Sequence, residues 1–281
     1  MAGERIFNCR GGKTGVTQVD MVTHGRIIPG TVAHVNQGTA AKTGSQETVI
    51  GYRSLDLDVF GIDPIYHLVS ATHSAAIVGA RFARVIPSTV IAQDPGAAGA
   101  LGIAETVITR KGLDVELFGL DFAVLAAKIG VAKQNLALAA IGAAGAAKTI
   151  TVGAVYFHTW LGEIPIPDRD TGGMLQTFGI RGSCEWADNT AFTDLITGDG
   201  DTELIALLGA TAANFIFQTT GSDGTAEKIT CKNVFFHTFL DAVAINAADA
   251  GSRLPASGIR GTCEWGAEDT FATMIAAAAD T

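Results

Sequence analysis

Ile180-Arg181-Gly182-Ser183-Cys184-Glu185-Trp186 returns 79 residues later as Ile259-Arg260-Gly261-Thr262-Cys263-Glu264-Trp265. Working outward, Val155-Tyr156-Phe157-His158-Thr159 returns as Val234-Phe235-Phe236-His237-Thr238, Asn135 as Asn214 and Gly130 as Gly209. Residues 120–202 align with 199–281 without a gap, and 29 of those 83 positions are identical. Self-similarity at a fixed period is the sequence signature of a duplicated structural unit, and it organises every later reading.

A fainter repeat occupies the N-terminal half. Glu47-Thr48-Val49-Ile50 and Leu55-Asp56-Leu57-Asp58-Val59-Phe60-Gly61 return as Glu105-Thr106-Val107-Ile108 and Leu113-Asp114-Val115-Glu116-Leu117-Phe118-Gly119. The stretch Val16–Ile27 sits where Ile229–Leu240 sits in the last repeat. The chain therefore reads as four related units, each a strand, a long loop, a second strand and a short helix. Units one and two resemble each other, as do three and four, which predicts two tandem β-rich domains over 1–143 and 144–281.

Alternating β-branched and aromatic residues predict strands over 16–27, 47–60, 76–87, 104–118, 135–141, 149–161, 174–186, 214–220, 228–240 and 254–265. Gly-rich connectors at 142–148 and 221–227 predict hairpin loops. Short helices are expected at Pro64–Ala71, Leu120–Ile129, 190–197, Thr202–Leu208 and Thr270–Ala278. Gly130 and Gly209 stand at left-handed stops, and Asn189/Thr190 and Asp269/Thr270 at N-caps. Loops at 28–46, 88–103, 162–173 and 241–253 recur at one place in every unit, which suits a contact arm. The fold class expected is β-rich α+β, with sheets or barrels and short helices.

Composition excludes several classes. With 48% hydrophobic and 17% charged residues, the chain is too apolar for a disordered protein. Its longest apolar stretch, Leu136–Ala147, is short and broken by glycine, so no membrane insertion is expected. A net charge of −9 argues against a grip on nucleic-acid phosphate. Met1-Ala2-Gly3-Glu4-Arg5 has no basic stretch followed by an apolar one, so no signal peptide is read and a reducing cytoplasm is expected. Four cysteines, Cys9, Cys184, Cys231 and Cys263, are too few for a disulfide scaffold and lack zinc spacing. Either a Cys231–Cys263 bridge or packed thiols would fit. The 34 Gly and 45 Ala suit close approach of backbones between packed subunits.

No catalytic motif emerges. Gly11-Gly12-Lys13-Thr14 has Phe7 where a phosphate loop needs glycine, and a strand rather than a helix follows; a flexible arm is the expectation. His158 and His237 lie mid-strand with no carboxylate or thiol at ligand spacing, and read as hydrogen-bonded structural residues. Asp168-Arg169-Asp170-Thr171-Gly172-Gly173 and Asp199-Gly200-Asp201 read as turns rather than calcium loops. Arg181/Glu185 and Arg260/Glu264, four apart on a strand, share a face and suit either a solvated sheet or an ion-pair ladder at a subunit interface. Trp186 and Trp265 end the same strands as core or interface anchors. These six are the candidate assembly residues; no cofactor or metal site is expected.

The tandem of long-looped strand pairs with short helices resembles, over the whole chain and as an architecture, the major tail tube proteins of long-tailed bacteriophages. Gly179–Trp186 and Gly258–Trp265 are features of this sequence, and the four-unit repeat departs from that family's plan. The resemblance implies a virion protein assembled in the host cytoplasm. It implies self-assembly into stacked, trimeric rings that mimic hexamers, long hairpin loops touching the next ring, and contacts to other virion proteins. It implies a channel through which DNA passes without specific binding, which the net charge would suit. The alternatives are a capsid decoration or host-recognition protein with repeated binding loops, and an enzyme on a repeated β-scaffold.

Overall fold

The computed structural model describes residues 5–8, 10–13, 22, 24–36, 47–62, 66–67, 80–94, 105–141, 147–167, 173–187, 190–198, 202–220, 226–246, 253–264 and 270–278. In chain order the elements begin with β1 (Arg5–Asn8), β2 (Arg10–Lys13), β3 (His24–Asn36), β4 (Glu47–Ile62), β5 (Tyr66–His67), β6 (Ala80–Asp94) and β7 (Glu105–Gly119). Then follow α1 (Phe122–Ala126), β8 (Gln134–Ile141), β9 (Ala147–Pro167), β10 (Met174–Cys184), α2 (Phe192–Leu195) and β11 (Ile196–Gly198). The rest are α3 (Thr202–Ala206), β12 (Ala213–Thr220), β13 (Ala226–Asn246), β14 (Arg253–Cys263), α4 (Phe271–Met274) and β15 (Ile275–Ala278). The protein is β-rich with short helices, and β8–β11 map onto β12–β15 at the 79-residue spacing of the repeat.

The strands form two antiparallel sheets. One runs β1-β3-β4-β14-β13-β12-β2 with β15 also on β13; the other runs β11-β9-β10-β7-β6-β5 with β8 also on β9. In the first sheet, β1 and β2 are separated by one residue yet hold opposite ends of the strand order. Consecutive Cα atoms are about 3.8 Å apart, so those ends must meet and the sheet rolls closed. In the second, β5 pairs with β6 and lies against β8, the same closure at the equivalent place. Most buried apolar side chains of both sheets form one cluster, including Leu57 and Ile259 from the first sheet and Val115 and Ile180 from the second, and Phe82, Phe118 and Ile166 form a smaller one.

The pairing does not follow the division expected at 143/144. Hairpin β3/β4 of unit one joins unit four through β4–β14, and hairpin β6/β7 of unit two joins unit three through β7–β10. Similarity records which units were copied from which; pairing is decided by which edges match in side-chain chemistry.

Several local expectations change. The loops at 28–46, 88–103, 162–173 and 241–253 are in large part strand, because β3, β6, β9 and β13 continue along their partners to Asn36, Asp94, Pro167 and Asn246. The β3 and β6 extensions mix exposed apolar and polar residues without regular alternation, which blurs the mark of a half-buried strand. Tyr66–His67 is strand where a helix was expected, and the rest of Pro64–Ala71 lies outside the described residues. The helices at 190–197 and Thr270–Ala278 each give way after one turn to β11 and β15. Their N-caps are Ala191 and Thr270; Asn189 and Asp269 lie outside the described residues. Arg10–Lys13 is a strand paired with β12, not a flexible arm. The acidic turns 168–172 and 199–201 also lie outside, while the hairpins across 142–146 and 221–225 form as expected. Among the described residues no helix is long and apolar enough to cross a membrane.

Two devices explain residues kept through duplication. Gly130 and Gly209 take φ of 78° and 71° and donate their N–H to Phe157 and Phe236 carbonyls at 2.9 and 2.8 Å. Ala154 and Asn233 also have positive φ, 51° and 53°, and form bulges whose N–H groups are received by Asn135 and Asn214 side chains at 2.9 and 3.1 Å. Left-handed backbone costs a β-carbon residue about 1–2 kcal/mol, less for asparagine. Ala154→Gly should therefore stabilise the protein by about 1 kcal/mol. Asn214→Ala should destabilise it by about 1 kcal/mol through loss of the bond to the bulge. Urea denaturation reads both; an Ala154→Gly variant less stable than wild type would contradict the bulge assignment.

Candidate assembly surface and the polar seams

The seam between units one and four is centred on Asp58. Strand register sets Arg26 opposite it on β3 and Arg260 opposite it on β14. Arg260 donates from Nε to Oδ1 at 2.7 Å and from Nη2 to Oδ2 at 2.9 Å, while Arg26 Nε reaches Oδ2 at 3.0 Å. The Arg26 guanidinium also lies 5.8 Å from the Phe60 ring centroid. Asp58 has no exposed surface, and the Arg260 guanidinium is held above its ordinary value, foremost by its hydrogen bond to Asp58. A buried carboxylate is costly unless paired, and two flanking arginines supply that pairing.

The seam between units two and three repeats the pattern. Glu116 lies opposite Arg84 on β6 and Arg181 on β10. Arg181 Nε donates to Glu116 Oε1 at 3.0 Å, and Arg84 Nη1 approaches Oε2 at 3.5 Å. Arg84 and Glu116 stand 58 residues after Arg26 and Asp58, and Arg181 stands 79 before Arg260. Each seam thus holds the same arginine–carboxylate–arginine triad at the same register.

Beside each triad runs a relay. Thr262 Oγ1 donates to Asp56 Oδ1 at 2.8 Å, and His237 Nε2 contacts Thr262 Oγ1 at 2.9 Å; His237 Nδ1 meets Thr238 Oγ1 at 2.7 Å. The copy is Ser183 to Asp114 at 2.6 Å, His158 Nε2 to Ser183 at 2.9 Å and His158 Nδ1 to Thr159 at 2.7 Å. Aspartate only accepts, so the central hydroxyl spends its proton there and accepts from the histidine Nε2–H. Nδ1 then accepts from the neighbouring threonine. A nucleophilic triad needs the imidazole between hydroxyl and carboxylate. Here the hydroxyl is in the middle, and a threonine replaces it in the other copy. Both histidines are hydrogen-bonded strand residues, as expected.

The six candidate residues are rearranged by these contacts. Arg181 and Arg260, for which a solvated face and an interface ladder were both open, form ion pairs across strands to Glu116 and Asp58 within the chain. Glu185 instead pairs with Lys133, each side chain about half exposed, which contributes little. Glu264 receives its strand-end contacts through its backbone: its N–H donates to the Asn233 carbonyl and its carbonyl accepts from Asn233 Nδ2, both at 2.9 Å. Trp186 packs edge-on against Phe192 at 5.1 Å on the shared core. Trp265 lies outside the described residues. Reading the sequence missed Arg26, Asp58, Arg84 and Glu116. The signal was there, in Arg26-Ile27-Ile28-Pro29-Gly30-Thr31-Val32 against Arg84-Val85-Ile86-Pro87-Ser88-Thr89-Val90.

That motif carries the surfaces left uncovered. Val32, Val35 and Ile50 on the β3/β4 arm and Val90 and Ile91 on the β6/β7 arm are exposed, with Val32 and Val90 at equivalent positions and 49% and 53% exposed. Each is followed by the same register shift. Across each arm a glycine faces a serine, Gly30 against Ser54 and Gly112 against Ser88, so the two arms reach the same close approach with the pair reversed. A second apolar patch surrounds α1, where exposed Phe122 packs edge-on against Trp160 at 4.9 Å and Phe178 at 5.8 Å. Cys184, Cys231 and Cys263 are free and buried; burial pushes the Cys184 and Cys231 thiols up to about 12 and raises Cys263 as well, so all three are inert. Among the described residues no group of three or more His, Cys, Asp or Glu is arranged to hold a metal ion. No protein-family model and no curated protein matches the chain.

Two outcomes follow. Asp58→Asn leaves two arginines facing a neutral group and should cost about 3–5 kcal/mol in urea denaturation. Glu116→Gln should cost less, because Arg181 is more exposed than Arg260 and Arg84 keeps Asp241 as a second partner. Equal losses would contradict the burial argument. The second outcome concerns His237. Burial lowers its imidazole pKa, with Arg260 adding to the shift and Asp56 and Asp58 opposing it. A lowered folded value means the unfolded chain takes the proton first. The stability from neutral His237 is full above about pH 6.5 and is lost as pH falls through the folded value. Stability of wild type relative to His237→Gln should therefore shrink from pH 8 to pH 5; a constant difference would oppose the assignment.

Proposed function

We propose that this chain is a self-assembling structural subunit of a virion, a tail tube protein of a long-tailed bacteriophage whose stacked rings surround a DNA-conducting channel. It is not an enzyme on this reading, its partners are further copies and other virion proteins, and DNA passes without specific binding. The observation that carries the reading is the duplicated arm. Val32 and Val90 recur at one register position on two long hairpins, with exposed Val35, Ile50 and Ile91 beside them. Single exposed apolar residues are ordinary, but a repeated apolar arm marks contact with protein. Two equivalent rolled sheets per chain also suit three chains standing in for six. The exposed Phe122, backed by Trp160 and Phe178, favours a second reading, host recognition through an aromatic patch.

Negative-stain microscopy of purified protein at high concentration tests this. Rings or tubes are expected, and Val32→Asp with Val90→Asp should leave the melting temperature unchanged while abolishing stacking. A monodisperse monomer at all concentrations would sink the proposal. Loss of cell binding on Phe122→Ser with intact assembly would move the reading to host recognition.

A further inference from the structure

Besides the common core, the two rolled sheets meet inside the chain through a polar contact between β6 and β13. Thr89 Oγ1, on β6 of the second sheet, donates to the His237 carbonyl on β13 of the first. Arg84, on the same strand, forms an ion pair with Asp241. This contact is head-to-tail: it uses the β6 face of one sheet and the β13 face of the other. The duplication supplies the complementary faces again. Thr31 on β3 is the copy of Thr89, and His158 on β9 is the copy of His237. Burial separates the used pair from the unused one. Thr89 is half-buried and His237 buried, whereas Thr31, His158 and Thr159 are exposed.

We infer that the β3 face of one chain docks on the β9 face of a second copy of this chain, with Thr31 Oγ1 donating to the His158 carbonyl. The inference rests on the proposed self-assembly and names its surface. A surface that already holds a sheet within the chain is joined to its equivalent between chains, so every sheet has the same two neighbours. A head-to-tail contact of this kind repeats, and it closes into a ring or winds into a helix according to the rotation per step. The ion pair is not copied, because Gly162 stands where Asp241 stands. Contact between chains should therefore be less salt-sensitive than a copy of the Arg84–Asp241 pair would make it.

Cross-linking tests this with the full chain. Thr31→Cys with His158→Cys, treated with a short bismaleimide, should give a ladder of dimers and larger species on a denaturing gel. All variants are made in a Cys9→Ser background, and that background and each single variant should stay monomeric, since Cys184, Cys231 and Cys263 are buried. Thr31→Cys with Thr159→Cys serves as a second pair should loss of the His158 bonds disturb the fold. Assemblies visible by microscopy without a ladder in either pair would overturn this interface and leave self-assembly standing. Absence of assemblies as well as ladder would overturn both.

Discussion

A buried carboxylate flanked by two arginines is the constraint on which the rest of the fold depends. Asp58 and Glu116 each sit on the strand that joins one hairpin to a hairpin from the other half of the chain. Were β4 to slip by one residue against β14, Asp58 would turn to the apolar face and Leu57 and Val59 would lose it. The triad therefore acts as a register pin as well as an ion cluster. Its worth lies less in net energy, since buried pairs often break even against apolar substitutes, than in the penalty for every misalignment.

The pins sit in a continuous polar band. Moving along β4, Asp56 feeds the Thr262–His237 relay, Asp58 the triad, and Phe60 the Arg26 guanidinium, while Leu55, Leu57 and Val59 face the common core. β7 repeats this order with Asp114, Glu116 and Phe118, where Phe118 joins Phe82 and Ile166 in a small cluster of its own. The polar side of the sheet is thus as specified as the apolar side. Among the described residues, the arms and the β3 and β9 faces remain exposed, as does the patch around Phe122.

Legibility in the sequence tracked how local the governing physics was. Hairpins β8/β9 and β12/β13 were readable because a Gly-rich connector between two alternating runs has one short-range solution. The positive φ of Gly130 and Gly209 was readable from the glycine alone. The β3 and β6 extensions read as loops from sequence because exposed strand ends lack regular alternation. Helices ending in β11 and β15 were overread because one helical turn and the following strand share an apolar periodicity too short to separate. For Arg181 and Arg260 the sequence leaves a solvated face and an ion pair both open, because their partners lie 65 and 202 residues away, beyond any spacing rule.

By itself, the sequence determined the number and kind of units, their period, the strand class and the positions kept through copying, because each is written in local pattern or self-similarity. Tertiary structure alone decided which units share a sheet, which carboxylate meets which arginine, and which copy of a duplicated face is already covered. Those outcomes depend on antiparallel edges from distant segments meeting in one register. Repeats that share their pattern leave these pairings open in sequence, and only the meeting of the chain in space decides them.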